Sequence, residues 1–190
     1  MVDSGFLFII SGPSAVGKTS VVGELLKIEP SLSRIITCTT RKIRNGERDG
    51  VDYFFFKKDE FLKKKDIGGF VEFSEVYGNY YGVLFETIKN ALEVGKNSVL
   101  IINWEGFLKI KKIFPDDVCG IFLLPPTFDH LERRIRIRST DSEEIIQRRL
   151  LASREDLSHA HEFDHQVVND NFDEAVRRVL SIIRMQIRRQ

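Results

Sequence analysis

Residues 6–19 read Phe-Leu-Phe-Ile-Ile-Ser-Gly-Pro-Ser-Ala-Val-Gly-Lys-Thr, and this stretch decides the fold. Its second half matches the phosphate-binding loop G-x-x-x-x-G-K-S/T at every specified position. Glycines allow backbone N–H groups to curl around an anion, and the helix that follows directs its positive end at the same point. The first half is an apolar run without alternation, which is typical of a strand buried on both faces. The stretch therefore predicts a strand, a phosphate loop and a helix in succession.

The loop predicts a nucleoside triphosphate site. By analogy with this loop in other proteins, the Lys18 ammonium reaches the outer phosphates and the Thr19 hydroxyl helps to hold Mg²⁺. The alternative, a glycine-rich surface turn, is disfavoured because an apolar strand precedes the motif and a plausible helix follows it. The predicted triphosphate contacts are Gly12, Pro13, Ser14, Ala15, Val16, Gly17, Lys18, Thr19 and Ser20.

Composition narrows the class of protein. The chain has 190 residues, of which 42% are hydrophobic, and this is enough for one domain with a substantial core. The formal net charge of +1 gives no electrostatic reason to expect nucleic acid or an anionic membrane as partners. Cys38 and Cys119 lack C-x-x-C spacing, so neither a disulfide framework nor a zinc site is expected. Because the apolar run near the amino terminus is too short for a signal segment or a membrane span, we expect a cytoplasmic protein.

Short apolar runs alternate with amphipathic stretches, a pattern that predicts an α/β fold with a parallel sheet. Helices are expected at Phe85 to Val94 and at Phe107 to Phe114. Residues 34–82 contain strand-like runs and many glycines, and they predict an inserted, mostly β subdomain. The clearest buried-strand candidates are Phe6 to Ile10, Val99 to Ile102, Gly120 to Leu124 and Gln166 to Val168.

Further sequence blocks follow the loop in a set order. Residues 37–44 read Thr-Cys-Thr-Thr-Arg-Lys-Ile-Arg, residues 50–53 read Gly-Val-Asp-Tyr, and Glu72 precedes Gly-Asn-Tyr-Tyr-Gly at 78–82. Together with Pro125-Pro126, arginines at 134, 138, 148 and 149, and Val168-Asn169-Asp170, these blocks make the chain resemble the guanylate kinases over about residues 5–185.

The resemblance implies a P-loop nucleoside monophosphate kinase fold, in which helices flank a mostly parallel sheet. The implied core covers about residues 5–33, 83–126 and 162–190. A mixed β subdomain at about 34–82 would bind GMP, and a helical lid would cover about 127–161. The implied reaction is Mg²⁺-requiring phosphoryl transfer from ATP to GMP or dGMP.

The acceptor phosphate is a dianion, which calls for bidentate arginines and hydroxyl donors in a fixed geometry. The resemblance assigns this task to Arg41, Arg44, Tyr53 and Tyr81. The alternative is that the arginines form surface ion pairs and the tyrosines pack within the small subdomain.

Glu72 is the candidate for base selection, because a carboxylate accepts hydrogen bonds from guanine N1–H and its 2-amino group, whereas adenine offers neither in that position. Thr37 would donate to guanine O6. The alternative for Glu72 is an outward-facing residue of an alternating strand.

The arginine-rich segment after Pro126 is similar to the lid of the family. The resemblance implies that Arg138 and Arg149 close over the phosphates and that Arg134 lies near ATP. The alternative for the remaining arginines is that they are solvated residues on helix faces: Arg133, Arg136 and Arg148. The implied catalytic residues are Lys18, Arg41, Arg138 and Arg149.

The chain departs from the family pattern in its acceptor pocket. Val83 stands where a Ser or Thr usually contacts guanine O6, and its lost hydrogen bond should cost about 1 kcal/mol of guanine affinity. Ile101 and Asn103 replace residues that are usually acidic, and Ser139 replaces a common lid glycine. Mg²⁺ is then expected to rest on Thr19, water and substrate phosphates. We predict activity with altered affinity.

Two other functions remain open at this stage. Guanylate-kinase-like domains also serve as peptide-binding scaffolds, although those tend to lose the phosphate loop that is intact here. Another small P-loop phosphotransferase is the second alternative, which Glu72 and the Gly-Asn-Tyr-Tyr-Gly block disfavour. Asp66-Ile67-Gly68-Gly69 fits D-x-x-G, but a GTPase is not expected because no N-K-x-D motif follows.

Overall fold

The computed structural model describes residues 5–76, 78–138 and 142–188, which form two β-sheets and the helices around them. The elements in chain order are β1 (Leu7–Ser11), α1 (Lys18–Ile28), β2 (Ser33–Arg34), β3 (Cys38–Thr39), β4 (Phe54–Phe55), α2 (Lys58–Asp66), β5 (Phe70–Val76), β6 (Asn79–Leu84), α3 (Phe85–Glu93), β7 (Ser98–Ile101), α4 (Trp104–Ile113), β8 (Val118–Leu124), α5 (Phe128–Arg138), α6 (Glu143–Ser158), β9 (His165–Val168) and α7 (Phe172–Ile187). A 3₁₀ turn, Ala160–Glu162, precedes β9.

The main sheet has the strand order β2-β7-β1-β8-β9, and every neighbouring pair in it is parallel. Side chains of β1 alternate between two apolar clusters. Phe8 and Ile10 pack with residues of α1 and α7, whereas Leu7 and Ile9 pack with residues of α3 and α4. Because helices cover both faces, the strand needs apolar residues at every position, which confirms the predicted parallel α/β fold.

The second sheet is mixed and has the order β4-β3-β6-β5. Strands β3 and β4 are parallel, while β6 runs antiparallel to both β3 and β5. Helix α2 covers it through Phe61, which is fully buried and whose ring stacks on Phe70 and Tyr80 at centroid distances of 4.2 and 5.3 Å. This aromatic contact fixes α2 against the sheet.

Helix α4 begins three residues before the start that the sequence predicted. Asn103 caps it, because its side-chain oxygen accepts a hydrogen bond from the Gly106 N–H at 3.0 Å. Asn171 caps α7 in the same way by accepting from the Glu174 N–H at 3.0 Å. Such caps satisfy backbone donors that the first turn of a helix leaves unpaired.

Helices α5 and α6 are joined by an ionic contact. Arg136 of α5 contacts both Glu132 and Glu143, with nitrogen–oxygen distances of 2.9 and 2.7 Å.

Within the described ranges, no helix combines the length and the apolar character needed to cross a bilayer.

Candidate active site

The phosphate loop connects the end of β1 to the start of α1. Gly12 has φ +137° and Gly17 has φ +106°, backbone conformations that residues other than glycine rarely adopt. A Cβ atom on Gly12 would lie 2.4 Å from the Leu123 carbonyl oxygen, and one on Gly17 would lie 2.5 Å from Asn169 Nδ2. Both glycines are therefore required by backbone conformation and by space.

Lys18 folds back over the loop that precedes it. Its ammonium donates to the carbonyl oxygens of Gly12 and Pro13 at 2.5 and 2.8 Å. Burial lowers the pKa of Lys18, and the negative charge of Asp156 partly opposes this effect. An adjacent cavity of about 230 Å³ is lined by Ser14, Ala15, Gly17, Lys18, Thr19 and Ser20. The loop thus surrounds a small polar space with a cation at its edge, as a polyphosphate requires.

Asn169 supports the loop from the end of β9, a role that the sequence analysis did not identify. Its side-chain Nδ2 donates to the Val16 carbonyl oxygen at 2.7 Å, in a buried contact. Arg134 Nη2 lies 3.5 Å from the Asn169 carbonyl oxygen. The sequence did contain an indication of this role, because Asn169 directly follows a predicted buried strand. A polar residue in that position lies at the edge of a parallel sheet where α/β proteins bind ligands.

A second cavity of about 210 Å³ adjoins the loop on the side of Arg134. It is lined by Ala15, Gly17, Ser20, Arg134, Asn169, Asp170 and Phe172. The structure therefore places Arg134 of α5 beside the phosphate loop.

A larger, shallow groove lies on one face of α7, between Arg177 and Arg188, and it includes no residue of the loop.

A third cavity, of about 270 Å³, brings together six of the eight predicted GMP-binding residues. It is lined by Thr37, Tyr53, Glu72, Ser74, Tyr81, Gly82, Val83, Ile101, Ile102 and Asn103. Strand register explains the set: Glu72 pairs with Val83 and Ser74 with Tyr81, so the side chains of all four lie on one face of the sheet. Ser74 was not singled out from the sequence, because its position depends on this pairing.

Glu72 lies at the wall of this cavity and is only 8% exposed. Burial raises the pKa of its carboxyl group; the nearby Lys109 charge opposes the rise and the Glu105 charge adds to it. A carboxylate in this position has little contact with water and would gain most from hydrogen-bond donors on a ligand.

Arg41 lies beside the same cavity. Its guanidinium carbon is 5.6 Å from the centre of the Tyr53 ring, and Tyr53 contacts Tyr81 edge to face. Glu47 binds the guanidinium with two hydrogen bonds and raises the pKa of Arg41, with a smaller contribution from Tyr81. The side chain of Arg44 is exposed and does not line the cavity.

Three residues were expected to depart from the family pattern: Val83, Ile101 and Asn103. The first two contribute apolar surface to the third cavity, and Asn103 caps a helix. Val83 is 2% exposed and Ile101 is half-buried, and both line the third cavity. The side-chain oxygen of Asn103 is used by the α4 cap, and its amide donates to Glu105 Oε2 at 3.1 Å.

The lid arginines differ in their surroundings. Arg149 is half-buried on α6. Arg148 forms an exposed ion pair with Glu144 at 2.7 Å, as expected of a solvated helix face. The side chain of Arg138, and Ser139 entirely, lie outside the described residues. Among the residues that the structure describes, no group of three or more His, Cys, Asp or Glu side chains could hold a metal ion.

Comparison with known proteins identifies the family of this chain. The family model of guanylate kinase matches residues 5–186. The chain is 44% identical to a guanylate kinase of Chromobacterium violaceum over 182 residues, which cover 96% of this chain and 86% of that one. It is 44% identical to a guanylate kinase of Thiobacillus denitrificans over 189 residues, covering 98% and 90% of the two chains.

Solved structures give the same result. The crystal structure of guanylate kinase from Anaplasma phagocytophilum superposes with a TM-score of 0.76 at 29% sequence identity, covering 97% of this chain and 87% of the other. A matching family model over nearly the whole length, close relatives and a matching fold lead to one conclusion: the chain belongs to the guanylate kinase family.

Proposed function

We propose that this protein transfers the γ-phosphoryl group of ATP to GMP or dGMP, giving ADP and GDP or dGDP. One observation carries the proposal: the phosphate loop and the Glu72 cavity lie at the carboxyl ends of two adjacent strands. Ile10 of β1 pairs with Ile101 of β7; β1 continues into the loop, and Ile101 lines the cavity. The carboxyl edge of a parallel sheet is where α/β proteins bind their ligands.

The donor side of the reaction belongs to the loop. Its N–H groups and the start of α1 hold the phosphates, and Lys18 exchanges its contacts with loop carbonyls for contacts with phosphate oxygens. Arg134 and Asn169 border the cavity that would take the nucleoside part of ATP. When bound, Mg²⁺ neutralises charge on the β- and γ-phosphates, and Thr19 would hold it.

The acceptor side selects GMP. Glu72 accepts from guanine N1–H and the 2-amino group, Thr37 donates to O6, and Asn103 borders the base. Arg41, Arg44, Tyr53 and Tyr81 bind the acceptor phosphate. AMP would leave the buried carboxylate facing an unprotonated ring nitrogen, which costs on the order of a few kcal/mol.

The arginines of the lid would supply positive charge to the reacting phosphates, and the lid would exclude water from them. We assign Arg138 and Arg149 to the phosphates that react, because phosphoryl transfer depends on positioning and charge stabilisation more than on covalent chemistry. The partners are then small nucleotides, and the cytoplasmic location expected from composition remains a prediction.

ADP release tests the proposal. Purified protein with ATP and Mg²⁺ is assayed separately with GMP, dGMP, AMP, CMP and UMP. Turnover with GMP and dGMP but not with AMP is the expected result. Turnover with a different acceptor would indicate another phosphotransferase, and folded protein that turns over none of them would indicate a binding scaffold.

A further inference from the structure

Glu47 folds back onto the loop that carries the two predicted phosphate-binding arginines. Gly46 has φ +88° and forms a turn in which the Glu47 N–H donates to the Arg44 carbonyl oxygen at 3.1 Å. In return, the Glu47 carboxylate accepts from the Arg44 N–H at 2.8 Å. Residues on either side of Glu47 are exposed, whereas its own side chain is 21% exposed. The turn thus places a carboxylate against this loop.

The same carboxylate binds one edge of the Arg41 guanidinium. Nη1 donates to Oε2 at 3.0 Å and Nη2 donates to Oε1 at 2.8 Å, while Nη1 also donates to the Lys42 carbonyl oxygen at 2.7 Å. The Tyr53 and Phe55 rings lie 5.6 and 5.8 Å from the guanidinium carbon. These contacts hold the side chain in one orientation, and it is 13% exposed.

A guanidinium has five N–H donors in a rigid plane, so holding one edge determines where the other edge lies. The three hydrogen bonds to Glu47 and Lys42 use both hydrogens of Nη1 and one of Nη2. The second hydrogen of Nη2 and the Nε–H form the remaining edge, which has the spacing for two contacts to a phosphate. Tyr81, which borders the GMP cavity, interacts with this same guanidinium.

We propose that Glu47 is a positioning residue for the acceptor phosphate: it holds one edge of Arg41 so that the Nε–Nη2 edge is oriented to bind the phosphate of GMP. This inference rests on the proposed function. It assigns the carboxylate a role beyond neutralising a nearby charge.

The opposite role would be that of a competing anion which leaves Arg41 when the phosphate arrives. The contacts of the carboxylate disfavour it. Glu47 is held by the Arg44 N–H and by the turn at Gly46 as well as by Arg41, so its departure would break the loop conformation. The two roles predict opposite changes in GMP affinity when the charge of Glu47 is removed.

Glu47→Gln tests the proposal, because the amide keeps the shape of the side chain but places an N–H₂ group against the donors of Arg41. GMP binding by calorimetry should weaken about 10-fold, since a two-point charge-assisted contact no longer orients the arginine. The KM for GMP should rise in parallel and the KM for ATP should stay within about twofold, since the ATP cavities lie elsewhere. Glu47→Asp keeps the charge and should recover part of the affinity.

Glu93→Gln is the matched control, because Glu93 forms an exposed ion pair with Lys89 on α3 and lines none of the three cavities. It should leave GMP binding unchanged. A second control combines Glu47→Gln with Arg41→Lys. Once the arginine is replaced, the Gln substitution should weaken GMP binding less than about twofold, because Glu47 then has no guanidinium to orient.

Unchanged or tighter GMP binding by Glu47→Gln would overturn the inference, as would equal losses for GMP and ATP. If Glu47→Gln does not fold, Glu47→Asp supplies the test, because its shorter side chain withdraws the carboxylate from Arg41. GMP binding should then weaken in the wild-type background and change less than about twofold in the Arg41→Lys background. Calorimetry also separates this inference from the proposed function. Wild-type protein that binds GMP without transferring phosphate would contradict the function alone, whereas normal transfer with full GMP affinity in Glu47→Gln would contradict the inference alone.

Discussion

Replacing Glu72 by Gln should impair the use of GMP while stabilising the fold. The carboxylate accepts two hydrogen bonds from guanine in the proposed complex, whereas an amide accepts one and turns its N–H₂ group toward the second donor. A hydrogen bond to a charged group contributes about 1.5–3 kcal/mol, so we expect a loss of roughly 2–4 kcal/mol. At about 1.4 kcal/mol for each factor of ten, kcat/KM for GMP should fall about 30- to 700-fold.

Stability should change in the opposite direction. Because burial raises the pKa of Glu72, the fold favours the protonated carboxyl group. Its contribution to stability is therefore greatest below its unfolded-state pKa and is lost as the pH rises through the raised folded-state value. Glu72→Gln removes the buried charge, so its unfolding temperature should exceed that of the wild type at pH 8 and approach it near pH 4.

The assay combines ADP release with varied GMP, the KM for ATP, and thermal unfolding at both pH values. The GMP affinity of the wild type should also fall more steeply than that of Glu72→Gln as the pH drops through the raised pKa of Glu72, because protonation of the GMP phosphate affects both proteins alike. An undiminished kcat/KM for GMP would refute the base-selecting role. An unfolding temperature that falls at pH 8 would show that the carboxylate has structural partners and that its burial is not a cost.

Three further substitutions test other parts of the site. Val83→Thr restores a hydroxyl opposite Glu72 and should tighten GMP binding about fivefold in calorimetry, near 1 kcal/mol; weaker binding would place the base elsewhere. Asn169→Ala removes the buried bond to Val16 and should lower the free energy of unfolding by about 1–3 kcal/mol while raising the KM for ATP. Lys18→Ala should abolish phosphoryl transfer but keep GMP binding by calorimetry within about twofold, and residual turnover near the wild-type rate would exclude its catalytic role.

The sequence predicted four of the five strands of the main sheet because local signals were strong there, but it did not predict the two-residue edge strand β2. Buried parallel strands are continuous apolar runs, and a glycine-rich loop with a lysine needs little tertiary context. The sequence prediction placed the start of α4 too late, at Phe107, because it followed the apolar residues from that position onward. The helix in fact begins at Trp104, directly after its cap Asn103. The lesson is that capping residues, not hydrophobic periodicity, set helix boundaries.

The composition of the acceptor cavity was harder to predict than the loop. Ser74 joins the cavity because β5 and β6 pair with Ser74 opposite Tyr81, and a shift of one residue would have turned it away. Glu47 reaches Arg41 only because Gly46 takes a positive φ and reverses the chain. Both depend on register and turn geometry, which single-residue patterns leave undetermined.

Negative charge lies near the phosphate loop although Ile101 and Asn103 are uncharged. Asn103 caps α4 as an aspartate would, and its amide binds Glu105. The Glu105 charge acts on both Glu72 and Asp156, and Asp156 acts in turn on Lys18. Burial raises the pKa of Asp156 whereas the Lys18 charge lowers it, so each of these two groups favours the charged form of the other. Acidic side chains on α4 and α6 thus act on both the Glu72 cavity and Lys18, and we expect phosphoryl transfer with altered affinities from this pocket.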